Sequence, residues 1–233
     1  MFMGIKPLGI LGKSKSITEF GYVTSTSDLT DGTDFSFSSV SFGAADATRE
    51  IIVVASFYDD TDTASPSATG CTIGGETAVR DKSQGDFLFG RLKVEVWRAT
   101  VPTGTSGTIT IDSISQSVTW CAISVYRAVG GISEVYDSGS SDGVNGKVDS
   151  DTMQLRLNTL SKSAVIGMSA QVTGSTTTWL GLTEDVDLNI TGSHYLSTAS
   201  DFGVGVTTET NRQVEPTRDS TVDRWVGISI SYN

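Results

Sequence analysis

The sequence predicts an all-β protein: a single antiparallel β-sandwich, or jelly-roll-like domain, over residues 17–233, preceded by an extended N-terminal arm over residues 1–16. Three observations carry this. Segments with period-two alternation recur about every dozen residues, a spacing typical of sandwiches and jelly rolls. They are mostly bounded by Gly, Ser, Asp or Pro clusters, as strand ends are. Charged residues are only 18% of the 233-residue chain and Ser, Thr and Gly are abundant, a composition that suits strands and tight turns better than helices.

The first element is the arm, "MFMGIKPLGILGKSKS". Met1, Phe2, Met3, Ile5, Leu8, Ile10 and Leu11 make it too apolar for a solvated tail, while Gly4, Pro7, Gly9 and Gly12 spoil it as a helix or strand. Lys6 interrupts the apolar residues and Lys13 and Lys15 follow them, the reverse of the order in a secretory signal. The stretch is also far short of the roughly 20 apolar residues that cross a bilayer, so no membrane partner is expected.

The strands follow in order. "FSFSSVSF", "EIIVVASFY", "CTIGGETAV", "RLKVEVWRA", "GTITIDSI" and "VTWCAISVYRA" occupy the first half, and "MQLRLNTL", "AVIGMSAQV", "DVDLNI" and "VDRWVGISISY" the second. "IIVVASF" and "WCAISVY" are apolar on both faces, which places them centrally, covered from both sides. In "RLKVEVWRA" Leu92, Val94 and Val96 share one face while Arg91, Lys93, Glu95 and Trp97 share the other. "CTIGGETAV" reads as a hairpin in which Gly74 and Gly75 supply positive φ. Residues 135–152, rich in Ser, Gly and Asp, read as a long acidic surface loop within one domain. Each half holds too few strands to close a two-layer core easily alone, so the halves are expected to share one.

Charge and chemistry narrow the function. A formal net charge of −11 opposes binding to phosphate backbones, so nucleic acid is not an expected partner. Cys71 and Cys121 form no metal-binding spacing and read as buried thiols, with a disulfide as the alternative. His194 is the only histidine, which excludes multi-histidine metal sites, and neither a G-x-S-x-G elbow nor a phosphate loop is present. No catalytic residue and no cofactor are therefore assigned. Asp59, Asp60 and Asp62, and separately Asp137, Asp142, Asn145, Asp149 and Asp151, supply oxygen ligands of the kind calcium takes, but neither run has EF-hand spacing. They read first as loop acids that satisfy local backbone donors.

The tryptophans are the more informative signal. Trp97, Trp179 and Trp225 fall on the hydrophilic phase of their strands. An outward indole marks a contact with a partner, a sugar-stacking surface, or a face covered by other parts of the same chain. Trp120 lies in a segment apolar on both sides.

Taken in order, the arm, "REIIVVASFYDD", "CTIGGETAV", "VWRATVPTGTSGTITID", "WCAISVYRAVG", the acidic loop, "SAVIGMSAQVTG" and "RWVGISISYN" resemble β-sandwich proteins of tailed bacteriophages and prophages. Several of those are decoration, cement, fibre or tail accessory components of the virion. The likeness spans most of residues 45–233 and lies in strand order and turn pattern. It implies a virion structural protein, most simply a capsid decoration or cement-type protein that forms homo-oligomers and touches other capsid or tail proteins. It brings no catalytic residues with it. The arm then has a role, because an apolar segment that cannot build its own core can gain burial along a neighbouring subunit. A carbohydrate-binding module or tail adhesin is the alternative reading, with a glycan on the tryptophans, and a glycoside hydrolase-like enzyme the third.

Overall fold

The computed structural model describes residues 16–61, 65–86, 91–141, 151–172, 174, 176–218 and 224–233. The fold is all-β with antiparallel sheets, and no α-helix occurs among the described residues. The first half contains β1 (Glu19–Asp28), β2 (Phe35–Ser41), β3 (Glu50–Tyr58), β4 (Gly70–Ile73), β5 (Glu76–Thr77), β6 (Val79–Gly85), β7 (Leu92–Thr100), β8 (Ser106–Asp112) and β9 (Trp120–Val129). The second half contains β10 (Val135–Ser141), β11 (Leu157–Thr159), β12 (Ala164–Val172), β13 (Thr177–Leu180), β14 (Thr183–Asn189), β15 (Tyr195–Phe202), β16 (Glu209–Arg212), β17 (Glu215–Arg218) and β18 (Arg224–Tyr232).

Two five-stranded sheets, β1-β9-β3-β7-β6 and β10-β18-β12-β15-β14, face each other across a shared core. Ile52, Val54, Leu92, Val94, Val96, Trp120 and Tyr126 enter it from the first sheet, and Ile166, Met168, Val226, Ile228, Ile230 and Tyr232 from the second. The opposite face of the first sheet, with Ile51, Val53, Phe57, Trp97, Ile123 and Val125, packs under a four-stranded sheet, β2-β8-β4-β5. The opposite face of the second carries Val165 and Trp225, covered by Met153, Leu155, Leu157, Val206 and Val214 and by the small ladders β11-β16 and β13-β17. Both main sheets are thus buried on both faces, which is why β3, β12 and β18 read as nearly unbroken apolar or small-residue runs.

The small residues have a steric reason. A Cβ on Gly167 would meet the Trp179 ring at 2.6 Å, and one on Gly227 would meet the Met153 sulfur at 2.6 Å. Ser229 and Ser231 hydrogen-bond to the carbonyls of Leu155 (3.4 Å) and Asn158 (2.9 Å), so the outer face of β18 accepts backbone laid directly on it.

The two halves repeat one arrangement. In the first, β1, β9, β3, β7 and β6 lie in the order that β10, β18, β12, β15 and β14 take in the second. The registers coincide: Glu50 pairs with Ala128 and Thr100 as Ala164 pairs with Tyr232 and Phe202. The ladders β6-β7 and β14-β15 break at the same step, at Asp81 in one and Asp185 in the other. Thr18 donates its N–H to the Val129 carbonyl at 2.8 Å, and Ser133 donates to Asn233 at 2.7 Å. Ile17 and Ile132, one residue earlier in each half, both enter the shared core.

Three sequence-based expectations change. Trp97 and Trp225 are not on an outward face: they are 4% and 3% exposed, each sealed beneath an outer layer of the same chain. Alternation identifies two faces of a strand but not what lies over each of them. The acidic loop expected over residues 135–152 does not begin at 135, because residues 135–141 form β10, which pairs with β18; residues 142–150 lie outside the described residues. "MQLRLNTL" contributes only the short β11, its remainder crossing the sheet as cover. The expected all-β sandwich is present, built from two layered halves that share one core.

Candidate functional site

The arm residues Met1, Phe2, Met3, Ile5, Leu8, Ile10 and Leu11 lie outside the described residues. The arm's root is described. Ile17 is buried in the shared core, Thr18 is tied to Val129, and Ser16 packs so closely on Gly130 that no Cβ fits there. From this root β1 runs along one side of the sandwich with β14 beside it, so the free edges of the two main sheets form a seam.

The seam is aromatic and acidic. Phe20 stacks on Tyr126 with ring centroids 5.6 Å apart and contacts Phe202 at 6.1 Å, while Tyr22 meets Tyr126 edge-on at 5.8 Å. Phe20, Tyr22, Leu188 and Phe202 are only partly buried at the margin of the core. Tyr126 donates its hydroxyl to Asp185 at 2.7 Å. Burial pushes the Asp185 carboxyl above its ordinary pKa, with hydrogen bonds from Tyr126 and Ser200 opposing the shift. Glu184 is raised by burial and then by repulsion from Asp187 and Asp185.

The corresponding seam on the other side, between β6 and β10, is built differently. Where the first seam has Phe20, Tyr22, Leu188 and Phe202, register places Val135, Ser138, Gln84 and Thr100. Asp81, the counterpart of Asp185, pairs with Arg98 at 2.9 Å, and Arg98 also reaches Glu50 at 2.6 Å. The residues standing at those two positions in the second half are Ser200 and Ala164. One seam is closed by ions; its counterpart has rings and acids.

Comparisons with family models, curated proteins and solved structures found no match.

The other sequence-derived candidates resolve into structural roles. Trp97 donates its indole N–H to the buried Glu95 at 3.1 Å and lies under the Arg80 guanidinium at 5.3 Å. Trp225 donates to Ser169 and stacks with Arg218 at 4.7 Å. Trp179, half-buried, lies over Gly167 and donates to Ser197 at 2.9 Å. The three indoles do not converge on one surface: Trp97 belongs to the outer layer of the first half, and Trp179 and Trp225 to that of the second. Cys71 and Cys121 are free, buried thiols, both pushed to high pKa by burial.

His194 sits half-buried against Tyr58 (5.2 Å) and Trp120 (5.8 Å), and burial lowers its pKa. Asp59 receives Thr61 N–H at 2.8 Å and Gln116 at 3.0 Å, and Asp137 receives Ser138 N–H at 2.8 Å and Asn158 N–H at 2.6 Å. Each thus holds one neighbouring backbone donor and one donor from a distant segment. Asp62, Asp142, Asn145 and Asp149 lie outside the described residues. Among the described residues no three His, Cys, Asp or Glu side chains gather to hold a metal ion.

A separate cleft of about 420 Å³ opens at the β4-β5 hairpin, where Gly74 and Gly75 have positive φ. Phe42 floors it, and Glu76, Thr103, Ser106 and Thr108 line it. Buried Arg49 fixes its walls by donating to the carbonyls of Val101 (2.7 Å), Thr103 (2.7 Å), Gly43 (3.1 Å) and Ala44 (3.0 Å).

The sequence did not reveal the seam because β1 is a polar edge strand and because alternation does not tell which strand edges lie side by side. The signal present was Phe20 and Tyr22 at i and i+2 immediately after the arm.

Proposed function

We propose that this chain is a structural protein of a tailed-phage particle, of the decoration or cement type, held to neighbouring copies and to other capsid or tail proteins through its N-terminal arm. The observation that supports this reading is the seam: half-buried rings at the margin of the shared core, beside the root of an apolar arm. Both main sheets already have cover on both faces. A partner therefore has edges and margins to grip rather than an open sheet.

The alternating placement of β1, β9, β3 and β7 in one sheet and β2, β8, β4 and β5 in the other supports a jelly-roll-like reading of the first half. In this reading the protein resides in the virion, acts without a cofactor and catalyses nothing, and its acidic charge favours solubility. Mass spectrometry and immunogold labelling of purified particles test it: the chain should be present at fixed copy number on the particle, and its absence from intact particles would reject the reading.

A second reading, glycan adhesion, is favoured by the hydroxyl-lined cleft, whose volume falls in the range of small-ligand pockets. A glycan array with wild type and Glu76→Gln tests it, with binding lost in the variant as the supporting result and no binding by wild type as the opposing one.

A further inference from the structure

We propose that the seam between β1 and β14 receives the N-terminal arm, residues 1–15, of a second copy of this chain. This rests on the assembly reading above and assigns its surface. The two seams are not equivalent. The halves repeat the same ladders, yet Phe20, Tyr22, Leu188 and Phe202 stand on one side where Val135, Ser138, Gln84 and Thr100 stand on the other. A duplicated frame has no internal need for rings on one side only. Partly buried aromatic side chains grouped at a margin mark a contact.

The arm carries Lys6, Lys13 and Lys15 and no acidic residue, while β14 carries Glu184, Asp185 and Asp187. At the closed seam Arg98 sits against Asp81; at the open one Ser200 holds the position of Arg98. A lysine from the arm restores the cation that this side lacks by comparison. The apolar arm residues meet the rings, and the free edge of β14 offers backbone groups to an extended segment.

Disulfide trapping tests the assignment in the full chain. Cys71 and Cys121 are buried, so introduced thiols are the reactive ones. One mass-tagged copy carries Leu8→Cys and another Leu188→Cys; a parallel mixture uses Gln84→Cys on the opposite seam. Mild oxidation should join the first pair, by at least about tenfold over the second. Glu184→Cys, an exposed position on the same strand, repeats the test should Leu188→Cys fold poorly. Equal trapping at both seams, no trapping at either, or closure within a single chain carrying both cysteines overturns the proposal. Light scattering on the unmodified chain separates the two levels: an oligomer without arm-to-seam trapping rejects the seam and leaves the assembly reading intact. A monomer at every concentration that is also missing from particles rejects both.

Discussion

Tyr126 donates its hydroxyl to Asp185 across the shared core at 2.7 Å, and on the opposite side Tyr232 donates to Asp81 at 2.9 Å. The acceptors are the residues at which the β14-β15 and β6-β7 ladders break, so each half clasps the other with the same chemistry. The tyrosines are two ladder positions apart, which makes the clasp alike in kind and not strict in register. The two acids differ in their neighbours: Arg98 pairs with Asp81, and burial raises the pKa of Asp185.

Asp185→Asn should therefore change how stability depends on pH. The folded-state pKa of Asp185 lies above its unfolded value, so folding favours the protonated form. Its contribution is fully present below the unfolded pKa and is lost as pH rises through the folded one. Urea midpoints measured from pH 3.5 to 7.5 should show wild type falling relative to Asp185→Asn as pH increases; a constant difference would contradict this.

Arg98→Met should cost about 3–5 kcal/mol in a urea titration, because Glu50 and Asp81 are left buried without their cation. Glu50→Gln alone should cost less, since Asp81 still pairs with the guanidinium.

Trp97→Ala and Trp225→Ala should each cost about 3–5 kcal/mol by chemical denaturation, the usual penalty for emptying a packed aromatic site. Neither should abolish glycan or particle binding at conditions where the variant is folded. Loss of binding with unchanged stability would restore the outward reading of these residues.

Gly167→Val should destabilise by about 1–3 kcal/mol and shift Trp179 fluorescence, because a Cβ there runs into the Trp179 ring and Leu182.

The central strands of the two main sheets were the most legible in the sequence, because their apolar content survives burial on both faces. β3, β7, β9, β12 and β18 stood out because two cores demand apolar or small residues at most of their positions. β1, β6 and β10 did not, because at the sheet edges their Ser, Thr, Lys and Asp side chains are solvated. The repetition of the halves was hidden for the same reason. Register and fold keep the pattern, while the sequences agree visibly only at the entry to each half, "SITEF" over residues 16–20 and "GISEV" over residues 131–135. Trp97 and Trp225 misled because their polar-phase neighbours, Glu95 and Arg80 for one and Ser169 and Arg218 for the other, are partners inside an outer layer.

The most direct measurement is the mass in solution of the full chain beside a version lacking residues 1–15, by light scattering across a range of concentration and salt. An oligomer that weakens with salt and falls to a monomer on truncation is the predicted result. Identical masses for the two chains would contradict a role for the arm in joining copies.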